Sequence, residues 1–294
     1  MNKNLIFTTL ILSNICFANA KPSRITNSLN LKNGYENGDS TKKNWKLVWS
    51  DEFDHPGLPD SKKWGYEEGL VRNHEKEYYT KARKENIIVK NGFLYFTALK
   101  ENYPNAAYLA GSNAWQKKDS VANYTSASIN TKGKADWKYG KIEVRAKLPA
   151  GKGVWPAIWM LGSNITNVGW PACGEIDIME NVGFEPNRVY ATMHYLDPVE
   201  KKHASNGKHT ESTTLSGDFH TYTLEWDENT IKIYLDNTLY QSFNTDAAGT
   251  GSDNGYRQKQ YLLLNFALGG DWGGQIDDSI FPQQFIIDYV RVYQ

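Results

Sequence analysis

In KIEVRAKL (residues 141–148), Ile142, Val144, Ala146 and Leu148 alternate with Lys141, Glu143, Arg145 and Lys147. A period of two marks a strand with one face buried and the other in solvent, the usual state of an antiparallel sheet. Similar patterns appear in NGFLYFTAL and ASINTK, around Tyr222–Trp226, Ile231–Leu235 and Leu239–Phe243, and in the closing FIIDYVRVY. Asp227-Glu228-Asn229 and Asp236-Asn237 supply turn residues between three of them. No stretch sustains a 3.6-residue period with caps. Many short strands with polar turns predict an all-β domain, a β-sandwich or jelly roll of two antiparallel sheets.

The chain has 294 residues, within reach of one large β domain. It opens MNKNLIFTTLILSNICFANA, with Lys3, an apolar stretch from Leu5 to Phe17, and the small-x-small site Ala18-Asn19-Ala20. Residues 1–20 therefore read as an export signal, and the protein is expected to be secreted or periplasmic. The apolar run falls well short of the ~20 residues that cross a bilayer, so no membrane span is expected. A lipid anchor through Cys16 is the alternative, poorly matched by Ser13-Asn14-Ile15. Residues 21–44 are polar and read as a flexible tether. From Trp45 to Gln294 no composition break follows, so 45–294 read as one catalytic domain. Cys16 and Cys173 are the two cysteines of the chain. Once Cys16 leaves, stability rests on core burial or on a metal, with Cys173 a small buried side chain. Zero formal net charge argues against nucleic acid and strongly anionic partners. Ten Trp, eighteen Tyr and eleven Phe suit either a β core or a saccharide cleft, and composition alone does not separate the two. A monomer is expected.

The chemistry concentrates in GEIDIME, residues 174–180. Ile176 and Ile178 alternate with Glu175 and Asp177, as in a strand, but Glu180 is out of phase by one. Three acids within six residues, with no Lys or Arg among them, repel one another unless function requires them together. One extra residue near Ile178 or Met179, a β-bulge, would return Glu180 to the face of Glu175 and Asp177. Two carboxyls about 5–5.5 Å apart suit double-displacement glycoside hydrolysis with retention. One must be ionised to attack the anomeric carbon and the other protonated to assist the leaving oxygen, while Asp177 can orient the attacking group. The spacing leaves open which Glu plays which part.

The motif Glu175-x-Asp177-x-x-Glu180 resembles the bulged signature of family 16 glycoside hydrolases, and within them the laminarinases, endo-acting β-1,3-glucanases. WSDEFD, YGKIEVRAKLPAGKGVWPAIWMLG, MHY, FHTYTLEW, NFALGGDWGG and DYVRVY resemble family segments in the expected order. The resemblance implies a jelly roll with a concave cleft and a retaining mechanism, with Glu175 as nucleophile, Asp177 its helper and Glu180 the acid/base. It implies no cofactor for catalysis and a neutral β-glucan substrate, β-1,3 or mixed β-1,3/1,4. It places Trp155 and Trp159 in the cleft, where their i, i+4 spacing puts both on one strand face; core packing is the alternative. It also suggests Trp170 at the rim, His194 near the acid/base side, Arg83 and Asn86 of KARKEN on sugar hydroxyls, and Trp272 as a further platform. A structural calcium ion is implied at Glu52, the Gly92 carbonyl and Asp288, where arginine or lysine pairing of the carboxylates is the alternative. Glu77 stands where relatives often carry Gln. A galactan-degrading enzyme, such as one acting on agar or carrageenan, and a non-catalytic glucan-binding lectin are the competing functions.

Overall fold

The computed structural model describes residues 44–294; the export signal and nearly all of the expected tether lie outside them. Two sheets pack face to face. The first follows the order His203–Glu211, Arg188–Leu196, Glu175–Glu180, Val154–Gly162, Gln260–Leu268, Ser128–Asn130 and Gly65–Tyr66. The second runs Thr238–Asn244, Thr230–Leu235, His220–Trp226, Gly140–Lys147, Gln283–Tyr293, Phe93–Pro104, Val121–Ser126 and Glu77–Tyr79. Leu47–Asp51 pairs with Gln283–Tyr293, so the two ends of the described chain meet in one ladder. Pairing is antiparallel apart from Glu77–Tyr79 with Val121–Ser126. Helix is limited to short turns such as Trp115–Lys118, Ile165–Val168 and Gly270–Gly273.

The opening stretch behaves as its alternation predicts. Gly140–Lys147 is a strand whose residues are buried at every second position, with Ile142, Val144 and Ala146 inside. Its inner row packs between the sheets with Trp64, Trp226, Tyr222, Phe96, Phe266 and Phe285, all fully buried. Large aromatics thus anchor the core, which among the described residues holds no disulfide.

The strands Val154–Gly162 and Gln260–Leu268 differ, being buried along their whole length. Val154, Ile158 and Met160 face the main core. Trp155, Ala157, Trp159 and Leu161 face the other way, into a concave surface that loops partly cover. That surface carries the site.

Candidate active site

Glu175–Glu180 lies mid-sheet, between Val154–Gly162 and Arg188–Leu196. Against the first neighbour Asp177 pairs with Trp159 and Met179 with Ile158, so two steps on one strand match one on the other. Ile178 is the extra residue of a bulge, where the sequence placed it. Ile178 and Met179 are consecutive, yet both are fully buried in the core. Burying each is worth about 1.5–3 kcal/mol, more than the ~1 kcal/mol net value of a displaced ladder hydrogen bond. The bulge also keeps its backbone satisfied, because the half-buried Tyr240 of the facing sheet donates its hydroxyl to the Ile178 carbonyl at 3.2 Å.

The entry to the strand is equally held. Gly174 has φ +74° and lies against Gly255 so closely that a Cβ on Gly255 would stand 2.5 Å from the Gly174 nitrogen. The Tyr256 hydroxyl lies 2.9 Å from the carbonyl of His194 and 3.3 Å from that of Glu175. These two residues are cross-strand partners.

The bulge brings Glu175, Asp177 and Glu180 to one cavity of about 300 Å³, lined also by Trp155, Trp159, Trp170, Arg72, Asn73, Glu75 and Asn265. Trp170 Nε1 donates to Glu175 Oε2 at 2.8 Å, and Trp155 Nε1 donates to Glu180 Oε1 at 3.0 Å. His194 Nε2 stands 3.2 Å from Asp177 Oδ2 and 4.0 Å from Glu175 Oε1. Burial raises all three acids, and their mutual charge adds to it for the two glutamates. Glu175 rises to about 8, opposed by His194, Trp170 and Arg72. Asp177 rises to about 8 by burial. Glu180 is pushed well above the carboxylate range, first by burial and then by Asp177. Like charges this close oppose simultaneous ionisation, so the cluster favours one protonated and one ionised glutamate.

Several expectations change in detail. Trp155 and Trp159 are mostly buried yet form cavity wall, so core and cleft describe the two sides of the same rings. Trp170 is half exposed at the rim. His194 lies opposite Glu175, whereas Glu180 pairs with Tyr190; the register places the imidazole on the Glu175 side, away from Glu180. Arg83 and Asn86 do not reach the cavity. Asn86 is fully buried, its carboxamide bonded to Thr80, Arg83, Thr125 and the Thr97 carbonyl. Arg83 is spent on Glu101 and Asn86. Trp272 stands beside the cavity, edge-on to Trp155 with centroids 5.5 Å apart and to Tyr190 at 5.0 Å.

The wall that Arg83 and Asn86 do not form is made by Arg72, Asn73 and Glu75, just upstream in the VRNHEKEYYT segment. The Arg72 guanidinium lies 5.1 Å over the Trp159 ring and is held by Glu67. Asn265 accepts from Trp159 Nε1 at 2.7 Å and donates to the Tyr79 hydroxyl at 3.0 Å, which donates in turn to Glu75 at 3.1 Å. This relay fixes the plane of Trp159. Asn73 and Glu75 sit beside the noted Glu77, but nothing in a strand-like segment marks which of its polar residues turn inward.

At the chain ends, both Glu52 oxygens take the Arg291 guanidinium at 2.8 and 2.9 Å, and Asp288 Oδ2 takes Arg145 at 2.6 Å. The arginine pairing allowed by the sequence is the arrangement found. Cys173 is buried, its thiol pushed up to about 11 by burial, and inert at neutral pH.

Comparison with known proteins follows the same lines. Residues 74–291 match the model of glycosyl hydrolases family 16. The chain is 42% identical over 260 residues to a beta-glucanase of Rhodothermus marinus, covering 85% of each. A solved structure of a non-specific endo-beta-1,3(4)-glucanase of that family superposes with a TM-score of 0.75 at 41% identity, covering 86% of this chain and 96% of the other. A structure from work on endo-acting O-glycanases with which human gut bacteria initiate mucin breakdown superposes with a TM-score of 0.79 at 40% identity, covering 85% and 91%.

Proposed function

The chain belongs to family 16 of the glycosyl hydrolases, and from that membership we propose that it is a retaining endo-β-1,3-glucanase acting on laminarin-type and mixed-linkage glucans. The observation that carries the proposal is the bulge at Ile178, which turns Glu175, Asp177 and Glu180 toward one cavity. Glu175 is the nucleophile. Hydrogen bonding from Trp170 and the neighbouring imidazole favour its ionised form. Its carboxylate attacks the anomeric carbon as the glycosidic C–O bond breaks, and Glu180 delivers its proton to the departing oxygen. Glu180 then removes a proton from water, the water oxygen attacks the same carbon, and Glu175 leaves, so two inversions give retention. Asp177, buried between them, orients Glu175. Trp170, half exposed at the rim, offers a face for a sugar ring, and Trp159 with Arg72 over it forms the cavity wall.

The three acids in place argue against a lectin. A galactan-type substrate is the second reading, favoured by Arg72, which lays a cation over the Trp159 platform. Product analysis after brief digestion of laminarin, lichenan, agarose, carrageenan and mucin O-glycans separates the substrates. Laminarin or lichenan cleavage to oligosaccharides is expected, and release from the galactans alone would overturn the glucan assignment. For the mechanism, Glu180→Ala with azide should yield a β-glycosyl azide; an α product would reverse the two roles.

Catalysis uses carboxyl groups and needs no cofactor. Calcium is proposed only as a structural tie at Glu52, Gly92 and Asp288. Two carboxylates and a carbonyl from opposite chain ends are hard-cation donors. The Glu52–Arg291 pair is partly solvent-facing and worth about 0–1 kcal/mol, a small barrier to exchange, while Asp288 is buried beside Arg145. We further propose that the protein is exported through residues 1–20 and works as a monomer. Among the described residues, no helix is long and apolar enough to cross a membrane.

A further inference from the structure

We propose that the catalytic apparatus doubles as a zinc-binding site, formed by Glu175 Oε1, an Asp177 carboxylate oxygen and His194 Nε2, and that zinc bound there shuts off turnover. The ligand atoms of these three residues lie within 4.8 Å of one another. Zinc–nitrogen and zinc–oxygen bonds of about 2.0–2.2 Å at a tetrahedral centre put neighbouring ligand atoms roughly 3.3–3.6 Å apart. The Nε2–Oδ2 separation of 3.2 Å already matches, and the 4.0 Å from Nε2 to Glu175 Oε1 needs only a small side-chain shift.

A second observation points to a ligand. Asp177 Oδ2 is buried and receives no hydrogen bond, although Nε2 of His194 is close by. A buried carboxylate oxygen without a donor is costly. A cation would satisfy it.

The surrounding contacts orient the set as outer-shell partners orient metal ligands. Trp170 Nε1 holds Glu175 Oε2, leaving Oε1 toward the histidine. His203 Nε2 lies 2.8 Å from His194 Nδ1, and the two rings stack with an interplanar angle of 19°. Across that contact His203 Nε2 can accept the Nδ1–H of His194. With that tautomer the lone pair of His194 sits on Nε2, facing the carboxylates. The cavity opens to solvent, providing entry and room for a fourth ligand, water. One imidazole and two carboxylates suit zinc or copper; calcium prefers six to eight oxygens.

Binding at this site is independent of the glucanase reading, whereas inhibition rests on it, since zinc would occupy the oxygen that attacks the sugar. The test is calorimetric titration of the metal-free protein with zinc chloride, in parallel with laminarin hydrolysis. One site of micromolar affinity is expected in wild type and in Glu180→Gln, which keeps all three ligands. Both His194→Gln and Glu175→Gln should weaken binding by at least about tenfold. Thermal melts check that each variant is folded, and cobalt should give tetrahedral visible absorption in the wild type. Zinc should raise the apparent KM for laminarin, and chelation should restore the rate. A dissociation constant weaker than about 1 mM, binding unchanged in both folded ligand variants, or zinc binding without loss of activity would overturn the proposal. If the protein cleaves no glucan, the titrations still decide the binding half.

Discussion

Replacing Glu77 by Gln should stabilise the protein at neutral pH, by an amount that grows as pH rises. Glu77 is fully buried, with Oε2 accepting the Leu268 amide at 2.6 Å and Oε1 receiving no hydrogen bond. Burial, then the charge of Glu75, raises its proton affinity well above the ordinary glutamate value of about 4.3. The folded state therefore holds a proton that the unfolded chain releases above that value. A carboxyl raised in this way stabilises fully below its unfolded pKa and loses that contribution as pH climbs toward the folded one. The deficit relative to a group that never ionises grows by about 1.36 kcal/mol per pH unit across the window between the unfolded and folded values. Gln cannot ionise; its carbonyl can keep the Leu268 amide, and its NH₂ can donate to Glu75. For a domain of this size each 1 kcal/mol of that gain corresponds to about 2–4 °C in Tm. Melting curves of both proteins at pH 5, 6, 7 and 8 should nearly coincide at pH 5 and diverge steadily above it. A variant whose Tm runs parallel to wild type across that range, or falls below it at pH 8, would refute the neutral buried carboxyl.

The acid limb of kcat/KM should lie well above the ordinary carboxylate range, because the free enzyme must ionise Glu175, raised to about 8; a limb centred near pH 4.5 would show that Glu175 is not desolvated as described. Arg72→Met should raise KM for the preferred polysaccharide about five- to thirtyfold with kcat nearly held, since a guanidinium contact to a sugar oxygen is worth about 1–2 kcal/mol; an unchanged KM would confine Arg72 to holding Glu67 and Trp159. Chelation should lower Tm, and added calcium should restore it. If chelation leaves Tm unchanged, the Arg291 and Arg145 pairs are the working state of Glu52 and Asp288.

Alternation in KIEVRAKL and its relatives determined the all-β class, because a strand has a period of two whatever it pairs with. The phase slip in GEIDIME even located the bulge, since two core-seeking residues in a row, Ile178 and Met179, leave one way to turn Glu180 outward from the core. Trp155 and Trp159 were legible for the same reason, being on one side of one strand. Long-range register decided the rest. His194 lies beside Glu175 because of how Arg188–Leu196 aligns on the catalytic strand, and no local pattern encodes an alignment between segments separated along the chain. Asn86 and Arg83 look available for sugar in sequence but satisfy one another and Thr125 and Glu101 in the fold, while Arg72, fifteen or fewer residues upstream, takes the cleft. Polar side chains carry no periodic signal for inside or outside. Their partners are chosen only when distant strands meet and each buried donor must find an acceptor.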